Sequence, residues 1–293
     1  MVKRKAFHLF FLLITHLFVL ESYSQYGNGY VSMQTDHING SKITLLNMSE
    51  KSGRIKVKYF AYKDGGTSVY QRFLNWKIGK NIICYSSGAY VDFCDAIIAK
   101  PAAFCIDNGN MVNNVLAADL DGLIIIFPAG NMQAYSLKEG SINITYKDGT
   151  KKKVNLKNAL EKQFFIEWAK KMGVTVFQTH LLCYKNQLAV SAVSKKTSNR
   201  RFIVAGKDGK GSAQQIIINS LSQLTLYDAT ANAISYLKTS HLLTDISFIF
   251  NLDPGCQDVY RVYNADGKVC TLPGFNGSFQ IEKAANLVVY YYE

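Results

Sequence analysis

The sequence predicts an α+β fold of strand-rich mixed sheets with two main helices. Three observations carry that expectation. Apolar runs of four to eight residues, rich in β-branched and aromatic side chains, recur along the chain, as at Ile55–Tyr62 and Leu123–Phe127. Turn signals punctuate them, among them Asn39-Gly40, Asp107-Asn108-Gly109, Asp121-Gly122, Asp148-Gly149 and Asp208-Gly209. Only two stretches have the period of a helix. The apolar share of 48% and aromatic share of 13% are those of a chain that buries a core.

The N-terminus opens with Met1-Val2-Lys3-Arg4-Lys5, an apolar run from Ala6 to Leu20, and small residues at Ser22 and Ser24. A basic start, a short apolar run and a small-residue end describe a secretory signal peptide over residues 1–24. The run is short for a membrane span and contains His8 and His16. The expectation is an exported, periplasmic, cell-surface or secreted chain, with residues 25–293 forming one domain and no stable membrane insertion after cleavage. The formal net charge is +12, with small clusters at Lys151-Lys152-Lys153 and Lys195-Lys196. Spread cations on an exported chain suit anionic glycans better than nucleic acid, so no nucleic-acid partner is expected.

Strands are predicted at Tyr30–Met33, Ile43–Leu46, Ile55–Tyr62, Ile82–Tyr85 and Leu123–Phe127. In Leu156–Met172 the residues Leu156, Leu160, Phe164, Trp168 and Met172 recur every four positions, and Gly173 supplies a stop. A second helix is expected from a cap at Asp228 to about Thr239, with Ala233, Ile234 and Leu237 on one face. Leu287–Tyr292 is β-prone, and we expect it to pair inside a main sheet rather than fray. Tyr70 and Trp76 read as core, or as platforms for sugar rings.

After residue 24 the histidines are His37, His180 and His241, none spaced as a metal pair. This argues against zinc hydrolysis. The six cysteines permit up to three disulfides in an oxidising compartment. Cys94–Cys105 is the first expected pair and Cys84–Cys256 the second.

Four segments can carry chemistry. Cys84–Tyr90 is a strand entering a small-residue turn. Pro101–Gly109 is a strand ending in a hairpin signal. Phe177–Leu182 is followed by Asn199–Ala205, which holds Arg201. Asn251–Asp258 is a buried strand ending on a carboxylate, turned by Pro254 and Gly255.

Taken in order, these segments resemble the phosphodiester glycosidase family, of which the chain would be a divergent member. Ser86-Ser87-Gly88-Ala89-Tyr90 sits where the family has Asn-Gly-Gly-Phe-Phe, and Asp107-Asn108-Gly109 at its Asn/Asp-Gly hairpin. Gln178 sits at its glutamine, Arg201 at its Arg-Thr-Ala strand, and Leu252–Asp258 at its final Leu-Asp-Gly-Gly-Gly turn. The departures are Ser86 and Ser87 for Asn and Gly, and Phe202 for Thr. Pro254 and Cys256 replace glycines, and Gln257 and Asp258 replace hydroxyl residues.

The resemblance implies hydrolysis of sugar-1-phosphate diesters on glycans through an oxocarbenium-like state. Asp253 is then the carboxylate at the anomeric carbon, and Arg201 the fork for the leaving phosphate. Asp107 or Asp258 is a second carboxylate. Ser86, Ser87, Gly88, Gln178 and Gly255 line the substrate, and two carboxylates would suit Ca²⁺ or Mg²⁺. The alternative is a family member that has lost catalysis and serves as a glycan-binding or structural envelope protein.

Overall fold

A computed structural model describes residues 22–26, 29–49, 53–62, 66–92, 99–253, 258–270 and 281–293. The expected signal peptide lies outside these as far as residue 21, as do Cys94 and the turn from Pro254 to Gln257. The architecture is α+β, with three larger sheets and three α-helices among the described residues.

The first sheet has eight strands. They are β1 (Ser22–Tyr26), β2 (Gly29–Ile38), β3 (Ser41–Ser49), β13 (Leu181–Tyr184), β14 (Gln187–Leu188), β15 (Ser198–Lys207), β16 (Ala213–Leu224) and β17 (Asp245–Leu252). Their order is β1-β2-β3-β16-β15-β17-β13-β14, and every pairing is antiparallel. A second sheet orders β18 (Tyr260–Val262), β5 (Asn81–Ser86), β19 (Asn286–Tyr292) and β4 (Ile55–Ala61). The third holds β6 (Cys105–Asp107), β7 (Asn110–Asn113), β8 (Gly122–Ile126), β9 (Met132–Ser136) and β12 (Thr175–Thr179), in the order β7-β6-β12-β8-β9. A hairpin of β10 (Ile142–Thr145) and β11 (Lys151–Val154) stands apart from the larger sheets.

Strand periodicity explains why these runs are apolar almost throughout. In β19, Val288, Tyr290 and Tyr292 enter a central core, while Leu287, Val289 and Tyr291 enter a second cluster. In β8, Ile124 and Ile126 face the central core and Leu123 and Ile125 face away from it. In β15, Ile203 faces inward and Phe202 and Val204 outward. Each sheet therefore puts one face into a shared core and covers the other with a helix, so alternate residues on both faces must be apolar.

The helices are α1 (Val69–Trp76), α2 (Ala159–Met172) and α3 (Leu226–Thr239). They cover the outer faces of the four-, five- and eight-stranded sheets respectively. The α3 start is capped by a hydroxyl: Thr225 Oγ1 accepts the Asp228 N–H at 3.0 Å and donates to Asp228 Oδ2 at 2.6 Å. Thr225, not Asp228, is thus the cap. In α2, Asn158 caps the start and Gly173, at φ 64°, ends it.

The α2 face differs from the expected stripe. Phe165, Trp168 and Ala169 are buried, whereas Leu160 and Phe164 are 75% and 52% exposed. The four-residue spacing drifts round a 3.6-residue helix, so its N-terminal members leave the core. The sequence reading missed α1, an eight-residue helix capped by Ser68. Trp76 and Tyr70 pack with Phe60 and Phe73 in the cluster beneath it, so they are core. No helix among the described residues is long and apolar enough to cross a membrane, which says nothing of a β-barrel.

Neither expected disulfide forms: Cys84 and Cys105 are free thiols, as are Cys183 and Cys270. Burial in the central core pushes the Cys84 and Cys105 thiols well up, keeping both protonated. Their expected partners, Cys94 and Cys256, lie outside the described residues.

Candidate functional site

Three of the predicted segments converge where β5, β15 and β17 end. Ser87 Oγ donates to the Asp253 carbonyl at 2.6 Å, and the Asp253 N–H donates to the Gly88 carbonyl at 2.9 Å. The Ser87 N–H reaches the Val259 carbonyl at 2.9 Å. Residues 166 positions apart in sequence are thus clamped by a side-chain bond, with a backbone bond beside it. The clamp leaves no room for a side chain at position 88. A Cβ there would lie 2.6 Å from Val288 Cγ2 and 2.9 Å from Asn286 Oδ1. Asn286 Oδ1 in turn accepts the N–H groups of Gly88 and Ala89, each at 2.8 Å.

Arg201 is the post of this junction. It is only 1% exposed, and its guanidinium is spoken for by the chain itself. Nε donates to Asn219 Oδ1 at 3.0 Å, and one terminal nitrogen to the Val259 carbonyl at 3.1 Å and Ser86 Oγ at 3.3 Å. The other pairs with Asp258 Oδ1 at 2.7 Å. The Tyr260 ring lies under the guanidinium carbon at 4.5 Å. Asp258 holds φ 29°, a conformation an L residue rarely adopts, and the ion pair stabilises it there.

Strand alternation places the neighbouring residues on the opposite face of the sheet. Phe202 and Asn251 are register partners on β15 and β17, and Arg200 and Asp253 share their parity. Here lies a polar group the sequence reading left mostly unassigned. Asn251 Nδ2 donates to the Tyr90 hydroxyl, while Asn251 Oδ1 is buried with no hydrogen-bond partner among the described residues. Tyr90 meets the His180 ring edge-on at 5.3 Å. The His180 carbonyl accepts the Asn251 N–H at 3.0 Å, and Thr179 Oγ1 donates to the Asn251 carbonyl at 2.5 Å.

Burial lowers the His180 pKa and outweighs Asp119 and Asp121, which act to raise it, so the ring is neutral at pH 7. Burial first, and then the Asp253 charge, raise the Tyr90 pKa, so its hydroxyl keeps its proton. Burial also lowers the Arg200 pKa against the pull of Tyr90 and Asp253. This guanidinium donates to the carbonyls of Leu224 and Lys196 at 3.2 and 2.9 Å. A carboxylate, a neutral imidazole, a protonated phenol and an arginine around one strand end can bind a polar ligand and move a proton.

Two predicted residues sit elsewhere. Asp107 is fully buried, and Arg72 pairs with its Oδ2 at 2.6 Å. The Ala61 N–H and Asn108 Nδ2 also reach its carboxylate, at 3.3 and 2.8 Å. It ties β6 to β4 and α1 and faces no cleft shared with Asp253 and Arg201. Gln178 holds the loop before β8. Its Nε2 donates to the Ala117 and Leu120 carbonyls, and its Oε1 accepts the Ala117 N–H at 3.0 Å. Gly255 lies outside the described residues.

Tyr90, His180 and Asn251 fell inside the motifs read from sequence, and Arg200 beside Arg201. The signal that could have separated Arg200 from Arg201 is strand alternation: one of two adjacent arginines on a buried strand must face each side. Among the described residues no three His, Cys, Asp or Glu side chains gather as a metal site. Asp258 is tied to Arg201 on the face opposite to Asp253. These donors do not fit the expected Ca²⁺ or Mg²⁺.

No protein-family model matches the chain. No curated protein matches it either. Among solved structures, the catalytic domain of zebrafish N-acetylglucosamine-1-phosphodiester alpha-N-acetylglucosaminidase, auto-inhibited by its pro-peptide, aligns over 96% of this chain and 90% of its own, at 12% identity and a TM-score of 0.48. An inferred exported protein of Burkholderia pseudomallei aligns over 86% of this chain and 74% of its own, at 9% identity and a TM-score of 0.45.

Proposed function

We propose that the chain is an exported hydrolase of sugar-1-phosphate diesters on glycans, with Asp253 as its working carboxylate. One observation carries the reading. The segments Ser86–Tyr90, Arg200–Arg201 and Asn251–Asp253, far apart in sequence, meet at one strand end with Asp253 beside Tyr90 and Arg200.

Cleaving such a diester builds positive charge at the anomeric carbon and leaves a phosphate. Asp253 supplies the anion that stabilises or attacks that carbon. His180, held neutral by burial, accepts a proton from water. Tyr90 donates a hydrogen bond from a hydroxyl that stays protonated. Arg200 offers a cation to the phosphate. Asn251 Oδ1, buried without a donor among the described residues, is an acceptor at this strand end that is still to be satisfied. In this reading Arg201 and Asp258 hold the junction in place and touch no substrate.

A second reading has its own observation. The guanidinium expected to grip phosphate is consumed by Asn219, Ser86, Val259 and Asp258. A chain so arranged could bind glycan without turning it over, as an envelope protein.

The test is hydrolysis of a GlcNAc-phosphodiester reporter. The enzyme reading expects turnover that falls about 10²- to 10⁴-fold in Asp253→Asn, the range of a lost acid–base or charge-stabilising group. Saturable glycan binding without turnover of any such diester would favour the second reading and remove the first.

A further inference from the structure

We propose a second ligand site on this chain, for a small amphiphilic anion: an apolar chain ending in a carboxylate or a phosphate. It is a cleft of about 510 Å³ between residues 116–121, the 3-10 turn Leu137–Glu139, the β10–β11 hairpin and the start of α2. Small-molecule sites commonly measure about 300–1,000 Å³ and pair an apolar lining with a few convergent polar groups.

The floor is apolar. Leu120, Ile142, Val154 and Leu156 are buried side chains that line the cleft. The last three belong to the cluster around Phe165 and Trp168, so the floor is part of a packed core and cannot collapse into the space. The facing wall is fixed as well, because Gln178 grips Ala117 and Leu120. The site is therefore pre-formed, which lowers the ordering cost of binding.

The mouth is basic. Lys138, Lys157 and Lys162 line it. Among the carboxylates nearby, Asp121, which lines the cleft, is paired with Lys138 at 2.6 Å, and Glu139 with Lys185 at 2.8 Å. Glu161 accepts the Asn155 N–H at 2.7 Å. Lys157 and Lys162 thus face the cleft without a carboxylate partner among the described residues; Lys162 reaches only the Asn114 carbonyl, at 3.2 Å. Outside the cleft, Leu160 and Phe164 are exposed on α2, and the Lys152 ammonium sits 3.9 Å from the Phe164 ring centroid. A sugar, polar all round, would leave its hydroxyls unpaired on this floor. An apolar chain with an anionic head matches both the floor and the mouth. Asp253 does not line the cleft, so this site is separate from the one proposed above.

Titration calorimetry on the full chain tests it, with dodecyl phosphate and dodecanoate as monomers below their micelle concentrations. Dodecyltrimethylammonium serves as the cationic control. The expected result is saturable binding of one molecule of either anion per chain, at least about 10-fold tighter than the cation at low salt. The double variant Lys157→Glu with Lys162→Glu should weaken anion binding about 10-fold. Ala159→Trp, which places a ring in the mouth, should abolish it.

A further arm uses vesicles of phosphatidylglycerol. Attachment to vesicles without uptake of monomeric dodecyl phosphate would mean a charged surface rather than a ligand cleft, and would overturn the proposal. Equal affinity for the cation, absence of saturable binding, or affinity unmoved by both variants would overturn it too. Lys157 and Ala159 are exposed and Lys162 is half-buried, and a melting curve checks that each variant is folded before its affinity is read.

Discussion

Arg201 shows how the site is held at the scale of a single residue. A buried guanidinium must have its donors met, because desolvation costs several kcal/mol unless partners replace water. Here Asn219, Ser86, Val259 and Asp258 meet them. Replacing Arg201 by Met keeps much of the volume and strands those acceptors. The expected cost is about 3 kcal/mol or more, read by urea or thermal unfolding. An unchanged midpoint would show the network to be incidental.

His180 gives a second expectation. Burial lowers its folded pKa below the ordinary imidazole value of 6.5. The unfolded chain therefore binds the proton first as pH falls. The contribution of His180 to stability is complete above about pH 6.5 and is lost as pH drops through that value toward the folded pKa. Comparing melting temperatures of wild type and His180→Gln from pH 8 to pH 5 checks this. The wild type should lose stability more steeply on the acid side, and parallel curves would contradict it.

Asp253 and Arg201 were legible in the sequence as residues, because a carboxylate ends a buried strand and an arginine interrupts another. Their roles were not legible. Whether an arginine grips a ligand or its own chain depends on what the opposite strand and the next loop deliver, here Asn219 and Asp258.

At the scale of elements, β19 repays the same scrutiny. Its run of apolar residues predicted a paired strand, and it lies between β5 and β4 with both faces buried. Deleting Val288–Glu293 removes the strand on which β4 and β5 both pair, so the four-stranded sheet should not form. The expected outcome is loss of cooperative melting rather than a local change, monitored by circular dichroism. The neighbouring sites for Gly88 and Ala89 would go with it, since Asn286 belongs to the same strand.

Helices were harder to read than strands. The α1 segment Val69–Trp76 has only two turns and aromatic residues that also suit a strand, so periodicity could not separate the two. In α2 the existence of the helix and its stop at Gly173 were legible, whereas the start was read at Leu156 and the helix begins at Ala159, capped by Asn158. Its buried face was not, because Leu160 and Phe164 look like core by type and lie outside it by angle.

At the scale of the molecule, the three larger sheets among the described residues share one core and each is roofed by a helix. This arrangement requires apolar residues on both faces of most strands, which is why the chain reads as blocks of hydrophobic sequence between short turns. It also leaves few places for polar side chains to gather, and the strand end at Asp253 is one of them. The order of motifs along the chain foretold that Ser86–Tyr90 and Asn251–Asp253 would meet. It did not foretell that Asp107 and Gln178 would serve as internal ties, because hydrogen-bond saturation appears only when the backbone partners at Ala61, Ala117 and Leu120 are in place.

The two carboxylates therefore separate the accounts most directly. Asp253 stands at the polar strand end, whereas Asp107 is paired with Arg72 inside the fold. The decisive measurement is the turnover of a GlcNAc-phosphodiester reporter per folded molecule by wild type, Asp253→Asn and Asp107→Asn. We expect Asp253→Asn to lose about 10²-fold or more in kcat/KM. Asp107→Asn should keep near wild-type turnover while melting at a lower temperature. Equal turnover by wild type and Asp253→Asn, or loss of turnover through Asp107 alone, would contradict the account.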